Sequence, residues 1–550
     1  MKRRFSQPDL LPVAAIIGIW VVMEVLINPR GNFPLNDDWW FAGTVRTLLA
    51  DHKLVLPFGV SMSLVAHVLW GALFSSLFGF SFDALRLSTL VLGLAGVLVT
   101  YGLLREIGAS RLISFVGALT VAVNPIYMEL SNTFMTDVTF NAIALSSLYL
   151  FVRGLKRESK SAIIAATLTA CIATLIRQIG ITTAAAFGVA YLVKNGRRAV
   201  WIAVLPIALT SATLLGYQKW LAYSGNVPLL YGLQVKSAEQ FIHLGAGKTL
   251  IASARFAEEA LVYIGLFLLP ILMLSLPRRS EVRLTGKYLL SRLPSLVLFL
   301  LLMTSLAYAD KWMPLNKGLG NVLMDFQLGP VTLYDVFYIQ LPNITHAPKV
   351  IWQIVTAAGA AGAALILSRV LSTLREVFRR KESSDLKWLA VLMMCTFAFY
   401  VIPLLILSPA GYFDRYLISL IAPLMGIVYL THRPKKIGRV QIALAATVLL
   451  LFGSFGVAGT HDYLAWNRAR WAAYSRLVQM DKVPVCSIQG GYECVGWSFA
   501  QRNWDWSREV DPAYAITFGL VDGYNVLRTY PIHNWLPYGQ EEILVLKRVE

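Results

Sequence analysis

Five consecutive residues, Asn36-Asp37-Asp38-Trp39-Trp40, carry the most concentrated ionisable chemistry of this apolar chain. Adjacent carboxylates can act as general bases, and indole side chains favour the headgroup level of a membrane. The stretch follows the first apolar segment, where the chain would leave a bilayer. It therefore predicts either an active-site loop or an ordinary interfacial turn in which the two Trp residues only anchor the chain.

The composition places this loop in a multi-pass membrane protein. Of the 550 residues, 57% are hydrophobic and 15% are charged, whereas soluble domains carry about 25% charged residues. The formal net charge of +18 is explained by short cytoplasmic loops, which collect Lys and Arg. No basic stripe requires an anionic polymer, so we expect membrane lipids, and no nucleic acid, as partners of the chain.

Fourteen apolar segments approach the length of about 20 residues that a helix needs to cross a bilayer. They lie near residues 10–27, 62–80, 84–104, 112–128, 138–152, 161–176, 179–193, 199–216, 259–276, 293–309, 350–369, 388–408, 416–431 and 441–459. The first segment is longer than the apolar core of a signal peptide, and no small-residue cleavage site follows it. We therefore predict that it is retained as a span.

Clusters of Lys and Arg between the segments decide which of them cross the membrane. If every cluster is cytoplasmic, one of the first three segments cannot cross, and segment 62–80 is the least aliphatic of them. We therefore predict about thirteen transmembrane helices in the inner (cytoplasmic) membrane, with a cytoplasmic N-terminus and an external C-terminus. Residues 28–83 then form an external loop with the Asp pair, a helix near 43–51 and an interfacial helix at 62–80.

The pattern changes after residue 460. Aromatic residues between His461 and Met480 follow the period of an amphipathic helix, and the remainder has short strand-like runs separated by Gly and Pro. These runs are residues 483–488, 513–518, 524–529 and 543–549. The predicted fold class is thus an all-α polytopic membrane domain over residues 1–460, followed by a small external α/β domain over residues 461–550.

Two of the four cysteines, Cys486 and Cys494, fall in the external segment on either side of Gly490-Gly491. An oxidising compartment favours pairing of two such thiols, so we predict a disulfide between them. A metal site is less favoured because no His residue accompanies the pair.

Asp137 and the pair Arg177-Gln178 lie at predicted external ends of apolar segments. Ionisable residues at such positions are expensive inside a bilayer and tend to be functional. Asp137 also suits a helix N-cap. An external Arg runs against the positive-inside bias, so Arg177 predicts an anionic partner such as a lipid phosphate. The alternative for Arg177 is an ion pair with Asp137 or another loop carboxylate.

Two further arginines are candidates on the same face. Arg86 near the start of its segment could contact a phosphate or simply snorkel to the interface. Arg415 follows Asp414, and that pair could neutralise itself. The sequence contains no phosphate-binding Gly-rich loop, serine elbow, zinc spacing or nucleotide fingerprint, which argues against a nucleotide-driven pump.

Placed on this topology, the chain resembles the polytopic glycosyltransferases of the GT-C type, in particular family 39 with the protein O-mannosyltransferases and the lipid A aminoarabinose transferases. Four motifs carry the resemblance, which is good across about residues 30–200 and patchy thereafter. They are Asp37-Asp38, Leu77-Phe78-Gly79 followed by Leu85-Arg86-Leu87, Asn124-Pro125 leading to Thr136-Asp137, and Phe413-Asp414-Arg415-Tyr416-Leu417. The tail motifs Asn467-Arg468-Ala469-Arg470-Trp471 and Gly490-Gly491-Tyr492-Glu493 resemble a bacterial subgroup.

The resemblance implies transfer of a sugar from a polyprenyl-phosphate donor to a glycan, lipid or protein acceptor at the outer face, usually with inversion. By the same resemblance, Asp37 or Asp38 is expected to act as general base. Asp137 is expected to orient the base or the acceptor, or to share a divalent cation with Asp37. The charge on the departing phosphate would be stabilised by Arg177, with Arg86 or Arg415 as further candidates.

Trp39, His67 and Gln178 are expected to contact donor or acceptor. The chain departs from the family in carrying Asp-Asp where a Glu is common, and in lacking an elaborated sugar-binding domain over residues 310–349. Two other functions stay open from the residues alone. A flippase for lipid-linked sugars would show inverted repeats and ionisable residues at the midplane, which we do not find. A non-catalytic subunit of a cell-envelope complex would need no Asp pair.

Overall fold

Helices form most of the structure, a computed structural model that describes residues 7–232, 246–277, 286–315, 320–325, 327–379, 385–407, 412–431, 433, 436–499 and 512–549. The first ten helices are α1 Gln7–Ile27, α2 Asp38–Asp51, α3 Val65–Phe78, α4 Phe82–Glu106, α5 Arg111–Ala122, α6 Pro125–Ser131, α7 Thr136–Arg157, α8 Lys160–Ile176, α9 Ile181–Asn195 and α10 Val200–Tyr223. The remaining nine are α11 Ala246–Phe267, α12 Leu269–Leu274, α13 Gly286–Tyr308, α14 Tyr334–Phe337, α15 Lys349–Arg379, α16 Asp385–Leu407, α17 Ile421–Thr431, α18 Arg439–Gln479 and α19 Tyr492–Phe499.

Each of the fourteen predicted apolar segments coincides with helical structure. By length and apolar composition, eight helices within the described ranges could cross a membrane, or nine if α5 and α6, bent by 62°, form one span. This criterion does not reach the predicted thirteen spans. One reason is that α8 and α9 have only 17 and 15 residues, fewer than the roughly 20 that a perpendicular span needs. The prediction of a multi-pass membrane protein is confirmed.

Residues 28–83 contain two short helices, α2 and α3, as predicted from their pattern. The Ser81 hydroxyl caps α4 by accepting the Ala84 amide at 3.1 Å, which fixes where this loop returns to a long helix. Seven residues of α2, including Asp38 and both of its Trp residues, are buried. The loop is therefore packed into the protein and does not trail over its surface.

Small residues allow α11 and α15 to approach closely. A Cβ at Gly265 would lie 2.0 Å from the Gly359 carbonyl oxygen, and one at Gly362 would lie 2.2 Å from the Gly265 carbonyl oxygen. Contacts this short exclude any side chain at these positions. Packing of small residues is a common way for apolar helices to associate in membranes.

The predicted boundary between residues 460 and 461 falls inside one continuous helix. Helix α18 runs for 41 residues, which corresponds to about 60 Å. The sequence offers no Pro between residues 440 and 479, so no local signal ends the helix where its composition turns polar. The helix predicted over residues 461–480 exists, but it is the second half of α18.

A four-stranded sheet follows α18 in the order β3-β4-β6-β5. Its strands are β3 Ile488–Gln489, β4 Tyr514–Thr517, β5 Tyr524–Pro531 and β6 Glu542–Arg548. Strand β3 is parallel to β4, and the other neighbouring pairs are antiparallel. A second, two-stranded sheet pairs β1 Leu323–Met324 with β2 Gln327–Leu328. The small C-terminal α/β part is thus confirmed. Strands β4, β5 and β6 lie close to the predicted ranges, whereas predicted strand 483–488 contains a 3₁₀ turn at Val485–Ser487 and overlaps β3 at residue 488 alone.

The predicted disulfide is not formed. Cys486 and Cys494 are both free, the first exposed and the second buried. Cys486 lies in a 3₁₀ turn at the surface, whereas Cys494 is on α19 with its Sγ close to Gly490. Burial raises the pKa of the Cys494 thiol to about 12, as expected for a thiol packed as a small apolar side chain.

Candidate active site

Four charged residues from three distant parts of the chain form an alternating network. Asp37 precedes α2, Asp137 lies in the first turn of α7, Arg177 ends α8 and Arg415 lies in the 3₁₀ segment Asp414–Leu420. Arg415 stands between two carboxylates, with Nη2 3.6 Å from Asp37 Oδ2 and Nε 4.0 Å from Asp137 Oδ2. Asp137 Oδ2 in turn lies 2.7 Å from Arg177 Nη2.

The start of α7 positions Asp137, and the end of α8 positions Arg177. Arg177 donates from Nε to the Thr136 hydroxyl at 2.9 Å, beside its ion pair with Asp137. Asp137 is not the N-cap, which is Met135, and it makes no capping bond. An acidic side chain in a first helical turn is stabilised by the helix dipole. The predicted alternative of an Arg177–Asp137 ion pair is therefore what the structure contains.

Arg415 is free to face the network because Asp414 is engaged elsewhere. The Asp414 carboxylate accepts the backbone amides of Val322 and Leu323 at 3.0 and 2.8 Å. Arg415 donates from Nη1 to the Gly320 carbonyl at 2.8 Å and lies over the Phe413 ring. The predicted self-neutralising Asp414–Arg415 pair is therefore not the main contact of either residue. Arg415 Nε has no hydrogen-bond partner within the described residues.

Asp37 is the carboxylate of this group that reaches the surface. Its side chain is 34% exposed, whereas that of Asp137 is 1% exposed. The Tyr492 hydroxyl donates to Asp37 Oδ1 at 2.9 Å. Loss of hydration raises the pKa of Asp37, while Arg415 and the Tyr492 hydrogen bond oppose that rise. A carboxylate with a raised pKa beside a guanidinium can exchange protons with a ligand.

Asp38, by contrast, holds the backbone together. It is buried, and its Oδ1 accepts the Leu35 amide at 2.7 Å while its Oδ2 accepts the Phe134 amide at 3.3 Å. Burial raises the pKa of Asp38 to about 8, against the effect of these amides. The structure therefore separates the two neighbouring carboxylates, which the sequence left equivalent.

Arg86 also serves the loop and not the network. It is buried and donates to the backbone carbonyls of Pro29, Gly31 (3.1 Å) and Phe33 (3.3 Å). Asp83 lies 3.6 Å away on the preceding helical turn. The Arg86 guanidinium thus faces inward and does not snorkel to the interface. Its hydrogen bonds to three carbonyls fix the path of the chain toward Asp37.

Trp39, His67 and Gln178 lie near the network, but each of them packs against protein. Trp39 stacks on Trp40 with ring centroids 3.6 Å apart. His67 is buried between the Thr139 hydroxyl and the Phe134 carbonyl, at 3.2 and 3.0 Å. Gln178 donates to the Ser61 carbonyl at 2.9 Å. The contacts of His67 and Gln178 fix the loop of residues 28–83 against α7 and against the 3₁₀ turn Gln178–Gly180 that precedes α9.

Three residues at the site were not singled out as site residues from the sequence. Tyr492 contacts Asp37, and Glu493 accepts the Asn36 amide at 2.9 Å and pairs with Arg470 at 2.8 Å. These residues belong to the two tail motifs, but nothing local in the sequence connects them with residues 36 and 37. The contacts of Tyr492 with Asp37 and of Glu493 with Asn36 cross more than 450 residues of chain.

The donor set around Asp37 and Asp137 does not fit a divalent cation. Arg415 lies between the two carboxylates and neutralises them, and Mg²⁺ or Ca²⁺ would need several converging oxygen ligands. In the part of the chain that the structure describes, no three His, Cys, Asp or Glu side chains are grouped to hold a metal.

The geometry combines an accessible carboxylate with two guanidinium groups. The carboxylate can accept a proton from a hydroxyl group, and the guanidiniums can stabilise an anionic leaving group such as a phosphate. Asp137 lies next to both guanidinium groups and holds them close together. These are the elements that a group transfer from a phosphate ester to an alcohol requires.

Comparison with known proteins finds a family match over part of the chain. Residues 65–217 match the family model described as dolichyl-phosphate-mannose-protein mannosyltransferase. The matched region includes Asp137 and Arg177, and it confirms the resemblance predicted from the sequence motifs over this stretch. No curated protein matches the chain significantly.

Solved structures that the chain matches include two of ArnT from Cupriavidus metallidurans and one of the arabinosyltransferase EmbB from Mycobacterium smegmatis. ArnT bound to undecaprenyl phosphate is 13% identical, with 98% of this chain and 97% of that chain covered and a TM-score of 0.36. Apo ArnT has the same identity and coverage and a TM-score of 0.38. EmbB is 15% identical with a TM-score of 0.35, and the alignment covers 89% of this chain and 42% of EmbB.

Proposed function

We propose that this chain, a multi-pass membrane protein of the GT-C glycosyltransferase type with similarity to family 39, transfers a sugar from a polyprenyl-phosphate donor to an acceptor hydroxyl. The observation that carries the proposal is the network of Asp37, Arg415, Asp137 and Arg177, in which one carboxylate is accessible and two guanidiniums stand beside it. The matched family is described by a dolichyl-phosphate-linked sugar, which supports a lipid phosphate as leaving group.

Asp37 is the proposed general base. The acceptor oxygen attacks the anomeric carbon, and its proton passes to Asp37 as the new glycosidic bond forms. The bond between the anomeric carbon and the phosphate oxygen breaks, and the leaving group departs as polyprenyl phosphate. A single displacement of this kind inverts the anomeric centre.

Arg177 and Arg415 are the proposed ligands of the donor phosphate. Both lie on the buried side of Asp37, with side chains 11% and 6% exposed. A guanidinium in so dry an environment stabilises developing negative charge more strongly than it would in water. Asp137 would keep both groups in place before the donor binds and prevent two adjacent cations from repelling each other.

We place the site on the external face of the cytoplasmic membrane, with the N-terminus cytoplasmic. The loop of residues 28–83 and the C-terminal sheet share one side of the protein because Tyr492 and Glu493 contact residues 37 and 36. The basic clusters between other segments support the cytoplasmic assignment of the opposite side. The second half of α18 and the segment that follows it would then form the external part.

The test is sugar transfer by the full-length protein in liposomes, with radiolabelled polyprenyl-phosphate pentoses, hexoses and aminosugars as donors. We expect turnover of one donor class, and we expect Asp37→Asn to lower the rate about 10²-fold to 10⁴-fold, as removal of a general base does. Asp522→Asn, an exposed carboxylate in the turn before β5, is the matched control and should transfer like wild type.

The outcomes separate the proposal from its rivals. Equal transfer by wild type and Asp37→Asn would exclude the assigned base. Movement of labelled donor between the leaflets of the liposome, without cleavage of its phosphate ester, would replace the transferase by a flippase.

A further inference from the structure

We infer that Tyr492 is a positioning residue for Asp37, so that the C-terminal segment completes the site built by the first loop. The inference rests on the proposed role of Asp37 as base. It concerns a contact that neither the matched region of residues 65–217 nor the sequence motifs assign.

The hydrogen bonds of Tyr492 have only one possible direction. Trp40 Nε1 can only donate, and it lies 3.3 Å from the Tyr492 oxygen. The ionised carboxylate of Asp37 can only accept, and its Oδ1 lies 2.9 Å from the same oxygen. The hydroxyl proton of Tyr492 must therefore point at Asp37 Oδ1.

This chain of bonds makes the two oxygens of Asp37 unequal. Oδ1 is held by the Tyr492 hydroxyl, whereas Oδ2 faces Arg415 at 3.6 Å, beyond hydrogen-bond distance. Oδ2 is thus the oxygen that is available to the proton of an acceptor. The same bond fixes the rotation of the carboxylate, which a partly exposed Asp would otherwise sample freely.

Tyr492 is itself held by a turn that only glycine can form. Gly491 has φ +91°, and a Cβ there would lie 2.2 Å from the Thr332 carbonyl oxygen. That oxygen accepts the Tyr492 amide at 2.9 Å. Helix α19 begins directly at Tyr492, so the start of the helix and the ring are placed together.

The next residue makes a second, parallel attachment to the first loop. Glu493 Oε1 accepts the amide of Asn36, and Glu493 Oε2 pairs with Arg470 of α18. Residues 492 and 493 therefore hold residues 37 and 36, and Arg470 ties both to the long helix. Asn36 has φ +52°, a left-handed conformation that Asn tolerates better than most residues, so the loop turns at the clamped position.

Helix α19 also packs against the first loop through Trp39. A Cβ at Gly496 would lie 2.4 Å from the Trp39 ring. The Tyr492 ring meets Trp39 edge-on at 5.8 Å and lies 5.2 Å from Phe337. Removal of the Tyr492 hydroxyl would leave these ring contacts in place, so Tyr492→Phe removes only its hydrogen bonds, the one to Asp37 at 2.9 Å and the longer one from Trp40 at 3.3 Å.

The experiment is a double-mutant cycle on sugar transfer by the full-length protein. Tyr492→Phe should lower kcat about 10-fold to 100-fold, the range expected for loss of one hydrogen bond to a charged group. KM for the donor should stay within about twofold, because Arg177 and Arg415 are unchanged. In the Asp37→Asn background, Tyr492→Phe should have no further effect, since two residues that act through one group are not additive.

The control is Tyr429→Phe, which also removes a hydroxyl hydrogen bond, here to the Gly108 carbonyl at 2.6 Å, and whose ring lies beside Arg433 and not beside a residue of the network. It should leave kcat unchanged. A wild-type kcat for Tyr492→Phe, with Asp37→Asn still inactive, would overturn this inference and leave the proposed function standing. Equal losses on both backgrounds would show that Tyr492 acts independently of Asp37. Unchanged transfer by Asp37→Asn would instead contradict the proposed function.

Discussion

Arg470 with Glu493, and Arg415 with Asp37, are both Arg–carboxylate pairs that join distant parts of the chain. In the first pair both side chains are fully buried, and Arg470 donates to Glu493, Thr332 and Asn467 at 2.6–3.1 Å. In the second pair the nitrogen and oxygen are 3.6 Å apart and Asp37 is partly exposed. Both are ion pairs, but only Arg470 and Glu493 lie within hydrogen-bond distance of each other.

This difference separates a structural ion pair from one that is prepared for a ligand. Arg470, which makes short hydrogen bonds to three groups of the protein, fixes one arrangement of the chain. Arg415 makes one hydrogen bond to a carbonyl and stands at 3.6 and 4.0 Å from two carboxylates. Its remaining donors are available to an anion that enters beside Asp37.

The largest expected effect comes from breaking the complete pair. Glu493→Ala leaves Arg470 buried without its carboxylate, which we expect to lower the free energy of unfolding by about 3–5 kcal/mol. Asp481→Ala is the control because its partner Arg528 is on the surface, where ion pairs contribute about 0–1 kcal/mol. Thermal unfolding midpoints in one detergent compare the two variants. Equal shifts would mean that the buried pair adds no more than the exposed one.

Substitutions of the arginines beside Asp37 should lower the rate of sugar transfer more than they lower stability. Arg177→Gln and Arg415→Gln remove a proposed ligand of the leaving phosphate, and we expect each to lower kcat/KM about 10²-fold to 10³-fold. Each should destabilise the protein less than Glu493→Ala does. Transfer rates and unfolding midpoints measured on the same preparations decide this. A variant that loses stability and activity in parallel would place its arginine with the structural pair.

Many features of the fold and of the candidate site could be predicted from local patterns in the sequence. Apolar runs of about 20 residues predicted the long helices, and the alternating runs after residue 483 predicted the strands. The unusual charges Asp37, Asp137, Arg177 and Arg415 stood out because ionisable groups are rare in such a chain. The predicted topology, which places all four on the external face, also predicted that they would lie near one another.

The remainder depends on contacts that no local pattern encodes. Asp37 and Asp38 are neighbours of the same type, and only their partners, Tyr492 and the Leu35 and Phe134 amides, distinguish them. The change from apolar to polar residues near 460 indicated a domain boundary, whereas α18 continues from Arg439 to Gln479 because a helix satisfies its backbone hydrogen bonds internally on both sides of that change.

The smallest effects are expected at Asp38, the neighbour of the proposed base Asp37. Asp38→Asn keeps the shape of the side chain and one of its two acceptor oxygens. The other oxygen becomes an NH₂ group, which cannot accept the hydrogen bond that the Leu35 or the Phe134 amide donates to Asp38. An unsatisfied buried donor costs about 1–3 kcal/mol, so the unfolding midpoint should fall by less than in Glu493→Ala. Asp38 has no contact with Arg177 or Arg415 in the described structure, and transfer per folded molecule should stay within about threefold of wild type. A loss of transfer as large as that of Asp37→Asn, at an unchanged midpoint, would move the base to Asp38 and reverse the assignment of the two carboxylates.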